Sequence, residues 1–164
     1  MFDVDISKWS RRKKANERDT EESLLFRYCR EFGGVIFTEV PFGDKVKPKE
    51  ARRVDAVRFL RHQDRPAPEI VGYDRKKFDD RLSIATRKGE RMEVIEVKRE
   101  LNRSVIGQVI VAKYLLEKEK ERVRPEMVVI CGEEVKLLKK FCDNYGIRVW
   151  NPNKAKLKQL TKHY

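Results

Sequence analysis

Asp55, Glu96 and Lys98 are the side chains of this sequence whose types and spacing suit chemistry at a phosphate. The stretch Arg91-Met92-Glu93-Val94-Ile95-Glu96-Val97-Lys98-Arg99 alternates as a β-strand does. A strand repeats every two residues, so Met92, Val94, Glu96 and Lys98 share one face while Ile95 and Val97 point the other way. A carboxylate and an ammonium group side by side at the end of an apolar strand can hold a metal ion and a water at one phosphate. Upstream, Arg52-Arg53-Val54-Asp55-Ala56-Val57 supplies a second carboxylate from another strand. Hydrolysis of a phosphodiester needs a hydroxide in line with the leaving oxygen, and positive charge against the charge that develops. Mg²⁺ takes hard oxygen ligands and keeps several waters, so two carboxylates leave room for substrate and nucleophile. A nearby Lys adds stabilisation and orients the water.

Spacing alone is weak evidence in so charged a chain. Glu134-Val135-Lys136 repeats it, and Asp74-Arg75-Lys76 comes close, but the first opens a helix and the second lies in an irregular insert. Only Glu96-Val97-Lys98 sits in a β-pattern with a strand Asp before it and an amphipathic helix after it. The bland alternative is a surface ion pair on an edge strand.

The elements that must position these residues read as follows. Thr20 caps a helix with Glu21 and Glu22 in its first turn, and Leu24, Leu25, Tyr28, Cys29 and Phe32 form its apolar stripe up to Gly33-Gly34. Strands are expected over Val35–Phe42 and Arg52–Leu60. Residues 61–90 read as an insertion within a hairpin, with a polar helix from Asp74 to Lys88. A third strand, Met92–Lys98, precedes a helix over Ser104–Lys120, with Ser104 as its cap. That helix is apolar on more than one side, which suits burial against the sheet and a second subunit. A buried strand over Met127–Cys131, a helix over Glu133–Tyr145 and a short strand over Ile147–Trp150 complete the pattern. We therefore expect an α/β domain over residues 20–152, its mixed sheet flanked by helices on both faces. A basic arm, 1–19, precedes it, and a basic tail, 153–164, follows.

This order resembles the PD-(D/E)xK nuclease superfamily, the restriction-endonuclease-like αβββαβ core, in its RecB and archaeal Holliday-junction-resolvase branches. The resemblance spans most of residues 20–150 in topology and a few residues in signature; Val54 stands where the motif's name has Pro. It implies that Asp55 and Glu96 bind Mg²⁺, with Mn²⁺ as a substitute, that the Val97 carbonyl is a third contact, and that Lys98 acts on the water. It also implies a role for Gln108, one turn into the following helix, because those branches often carry a Gln facing the site. Glu22 enters as a candidate because archaeal resolvase-like members place a metal-linked Glu on the first helix. Glu39, on the first strand, is a further candidate acid.

Composition fits that reading. The chain of 164 residues has 39 Lys plus Arg against 27 Asp plus Glu, a net charge of +12 that favours a polyanionic partner. Solubility or growth at high temperature would also produce such a surface. Lys45, Lys47, Lys49, Arg52 and Arg53 border the site and are expected to contact phosphates, with Lys47, Arg52 and Arg53 foremost. Cys29, Cys131 and Cys142 form no Cys-x-x-Cys pair and read as core residues of a protein in a reducing cytoplasm. No run of apolar residues reaches membrane-spanning length. The expected function is a metal-dependent endonuclease acting on DNA rather than RNA, selective for structure and working as a homodimer. The alternatives are a non-catalytic nucleic-acid-binding module and a subunit of a larger restriction, repair or mobile-element assembly.

Overall fold

A computed structural model of the chain describes residues 20–42, 52–60 and 67–154. The expected arm at 1–19, Lys45, Lys47, Lys49 and the tail from residue 155 onward lie outside them. Helix α1 spans Glu21–Phe32; the Thr20 hydroxyl accepts the Ser23 N–H at 3.1 Å, and two acids stand in the first turn. Gly33, with φ of 63°, ends it. Gly34 must be glycine twice over: its φ is +96°, and a Cβ there would meet the Phe59 carbonyl oxygen at 2.6 Å.

Strands β1 (Val35–Phe42) and β2 (Arg52–Leu60) follow, then a short β3 (Glu69–Gly72). Helix α2 (Arg75–Lys88) starts at Asp74, whose carboxylate accepts the Lys77 N–H at 2.9 Å, and stops at the left-handed Gly89. Strand β4 (Arg91–Glu100), helix α3 (Arg103–Glu119), strand β5 (Glu126–Glu133), helix α4 (Lys136–Asn144) and strand β6 (Ile147–Trp150) complete the described fold.

The strands form one six-stranded sheet in the order β3-β1-β2-β4-β5-β6. β2 is antiparallel to β1 and β4, whereas β1–β3, β4–β5 and β5–β6 are parallel. The fold is thus α/β, with a mixed sheet between helices. One core, with Phe37, Val57, Phe59 and Val94, takes α2 and α3 and the buried Cys142 of α4. The opposite core, with Ile36, Ala56, Ile95, Val97 and Ile130, takes α1 and, among the described residues, no other helix. No helix among the described residues is long and apolar enough to cross a membrane.

Four details differ from expectation. The insert contributes a strand, β3, which extends the sheet beyond β1. α3 begins one residue early, because Leu101 is buried and its N–H is held by the Glu133 carbonyl at 2.9 Å. That leaves Asn102, not Ser104, where the chain turns, and its side chain accepts the Val105 N–H at 3.0 Å. β5 continues to Glu133 in register with β4, so α4 starts three residues later, at Lys136.

The α1 face contains a buried ionic hub. Glu93 is fully buried and accepts hydrogen bonds from the Tyr28 hydroxyl at 2.9 Å and the Arg58 guanidinium at 2.7 Å. Arg148 reaches the same carboxylate from β6. Arg58 also donates to the carbonyls of Phe32 and Gly33, both at 2.7 Å, and so closes the C-terminal end of α1. Burial, then the Glu93 charge, pushes the Tyr28 hydroxyl well above its usual range, so it stays a donor. Removing one partner of such a cluster strands a buried charge. Glu93→Ala should therefore lose about 3–5 kcal/mol in urea unfolding. Glu126→Ala, which breaks the exposed Arg91–Glu126 pair, should cost less than about 1 kcal/mol.

Candidate active site

The site lies where β2 and β4 part. Their last paired residues are Ala56 and Ile95, so one step further Asp55 stands opposite Glu96. Beyond that point the Val97 N–H donates not to a β2 carbonyl but to the Asp55 carboxylate, at 2.7 Å. In extended backbone a residue's N–H and C=O point to the same neighbouring strand, so the Val97 carbonyl faces the same gap. The long stretch between Asp55 and Glu96 does not disturb this register, because α2 and β3 fold outside the β2–β4 pair.

At the same level β1 is irregular. Glu39 has a φ of 56°, the left-handed region, and it interrupts the β1–β2 ladder between Thr38–Ala56 and Val40–Val54. Side chains change face there: Val35 and Phe37 share their core with Val40 and Phe42, and Val57 and Phe59 share it with Val54. Glu39 is thus not on a continuous face with Val35 and Phe37, as simple alternation has it. A non-glycine residue in this region is strained by about 1–2 kcal/mol, and such strain gathers at functional sites.

Glu96 is 5% exposed and hydrogen-bonded to Asp55. Burial and then the adjacent Asp55 push its carboxyl up to about 9; Lys98 pulls it back and Glu39 adds to the rise. Met92 and Val94 on the same strand belong to the α3 core, so alternation puts Glu96 on the sheet face that α3 covers. Lys98 donates to Glu21 at 3.1 Å, half-exposed. That hydrogen bond, opposed by partial burial and helped by the charges of Glu21, Asp55 and Glu96, raises its pKa and keeps it a cation.

Glu21, missed in the sequence, is therefore the α1 carboxylate at the site. Glu22 is exposed and turned roughly 100° around the helix. The signal was present: Leu24, Leu25 and Tyr28 stand three, four and seven residues after Glu21, which puts it on the packed stripe. Gln108 is half-buried on α3 beside Val105 and Val109, and its amide oxygen is buried with no hydrogen-bond partner. Arg53 lies 4.0 Å from Glu39, with both side chains exposed, and Arg52 is exposed beside it.

Among the described residues, no three His, Cys, Asp or Glu side chains gather closely enough to enclose a metal. The donor set is a pair, Asp55 and Glu96, with a backbone carbonyl directed at it. Such a pair suits Mg²⁺, which binds through one or two carboxylates and retains water, and not zinc, which takes four protein ligands in structural sites. No protein-family model, curated protein or solved structure matches the chain.

The raised Glu96 carboxyl has a consequence in metal-free buffer. An unfolded Glu ionises near 4.5 while the folded group holds its proton to about 9, so stability falls as pH rises across that interval. Glu96→Gln removes the penalty. It should match the parent below pH 4.5 and exceed it increasingly toward pH 9, by up to a few kcal/mol in urea titrations with EDTA.

Proposed function

We propose that this chain is a metal-dependent endonuclease that hydrolyses DNA phosphodiesters on a restriction-endonuclease-like scaffold. The observation that carries the reading is the juxtaposition of Asp55 and Glu96 at the end of the β2–β4 ladder, with Lys98 two residues on. Two carboxylates forced into one hydrogen bond, one of them buried, form a place where a divalent cation gains more than a proton does. Asp55 and Glu96 would hold Mg²⁺ or Mn²⁺, with the Val97 carbonyl turned to the same gap. The ion's chemistry there is to polarise the phosphate and acidify water.

The chain's own groups do the rest. Asp55 is locked by the Val97 N–H, so its carboxylate is fixed without help from ligand. Glu21 keeps Lys98 protonated and aimed at the site end of β4. A lysine so held stabilises charge developing on a scissile phosphate and orients the attacking water. The unpartnered Gln108 amide oxygen is an acceptor for a proton of that water. Arg52 and Arg53, both exposed, meet backbone phosphates at the rim. The site itself is acidic within a chain of charge +12, so the cation would bridge the carboxylates and the phosphate of a polyanion drawn by the rest of the chain.

The test uses labelled linear, single-stranded, flapped and four-way-junction DNA with Mg²⁺, Mn²⁺ or EDTA. Cutting should require the metal, and Asp55→Ala, Glu96→Ala and Lys98→Ala should each lower the rate by about 10²-fold or more. Glu134→Ala, at the other Glu-x-Lys, should leave it unchanged. Binding without cutting on every substrate would replace this proposal with a binding module or a partner-dependent subunit.

A further inference from the structure

The outward face of α4 carries side chains that a surface helix normally buries. Leu137 and Phe141 on the helix and Tyr145 at its end follow at four-residue steps and are 77%, 39% and 63% exposed. The Phe141 and Tyr145 rings stack, with centroids 4.3 Å and planes 26° apart. Tyr145 is the more exposed of the two, so the ring face it does not share with Phe141 is open to solvent.

The free charges beside this stripe are of one sign. Lys136 and Lys140 each stand one residue ahead of Leu137 and Phe141, about 100° around the helix. Both are exposed, and neither has an ion-pair partner among the described residues. Asp143, the one acid of α4, is taken by Lys139, and Glu134 just ahead of the helix is taken by Lys154.

We propose that this face is a stacking platform for single-stranded DNA. A base lies on the open face of Tyr145 and extends the stack that Phe141 begins, while Lys136 and Lys140 take the strand's phosphates. Size decides between a strand and a protein partner. An aromatic side chain presents at most about 250 Å² and Leu less, so the three together expose at most about 450 Å². A standard protein interface needs roughly 800 Å² per partner, whereas one base needs one ring. Charge then favours an anion, because two ammonium groups are left unpaired. Duplex DNA is a poor occupant, since its bases already cover one another's faces.

Position fits this use. β5 hands the chain to α4 after Glu133, which pairs with Glu100 of β4, so Lys136 stands at the end of the sheet that carries Glu96 and Lys98. From there the stripe runs back over β6 to Tyr145. An unpaired strand leaving the candidate site meets Lys136 first, then Lys140 and the rings. The platform is argued from α4 alone; its use, to select DNA with an unpaired arm such as a flap, rests on the nuclease reading.

Fluorescence anisotropy in EDTA tests the platform, with labelled oligothymidylate and with the same strand in a duplex. The parent should bind the single strand more tightly than the duplex at equal salt. Tyr145→Ala should weaken single-strand binding about tenfold and leave duplex binding unchanged, whereas Tyr145→Trp should bind as the parent does or more tightly. Lys136→Ala and Lys140→Ala should each lower the salt slope of single-strand binding by about 0.7. All four side chain changes are at exposed positions, so circular dichroism should show the parent fold. Single-strand binding no tighter than duplex binding overturns the proposal. Binding unaltered in Tyr145→Ala also overturns it and gives the face to a protein partner. No cleavage enters this assay, so failure of the platform and failure of the nuclease reading are distinguishable.

Discussion

The site depends on one buried carboxylate that takes no part in it. Glu93 joins β4 to α1 through Tyr28, to β2 through the buried Arg58 and to β6 through the more exposed Arg148, on the α1 face. Buried ion pairs seldom add net stability, because desolvation offsets the attraction. What this one supplies is position. Arg58 grips the C-terminal carbonyls of α1, and the rest of the helix runs from there along the sheet until Glu21 meets Lys98. Because side chains alternate, holding Glu93 toward α1 also turns Glu96 to the other face. Helix and strand are thereby fixed in the relation the candidate site needs.

The site is built on electrostatic tension. Glu21, Asp55 and Glu96 all act on the Lys98 ammonium group, Glu39 adds to the field on Glu96, and burial denies Glu96 the water that would let it ionise at neutral pH. Left-handed backbone at Glu39 and a proton retained by Glu96 both cost stability. A cation between the carboxylates relieves the second cost, and that links the odd ionisation of Glu96 to a use. The chain's net charge of +12 is a separate feature, and the attraction it exerts on anions is indifferent to sequence.

Much of this was legible in the sequence, and the rest was hidden for definable reasons. Period-two alternation in β4 separates Met92 and Val94 from Ile95 and Val97, as the two cores show, although Lys98 at the strand's end reaches Glu21 of α1, and the α1 stripe was plain. The pairing of Asp55 with Glu96 could only be expected by resemblance, since register across a long insert is set by tertiary packing. Glu21 was passed over for Glu22, although helical spacing from Leu24, Leu25 and Tyr28 favoured it. Glu39 broke alternation because a non-glycine residue adopted a conformation that residue type seldom shows. The hub left a trace that went unread: Glu93 and Arg58 sit mid-strand among apolar neighbours, where a charge is tolerated only with a buried partner.

The central claim is that Asp55 and Glu96 form a divalent-cation site whose proton is exchanged for the ion. Isothermal titration of the metal-free protein with Mn²⁺ near pH 7.5, repeated in buffers of different ionisation enthalpy, tests it without any nucleic acid. The account predicts saturable binding with release of about one proton per ion, and neither binding nor release in Glu96→Gln. Absence of binding in the parent, or binding that survives in Glu96→Gln with the same proton count, would contradict it.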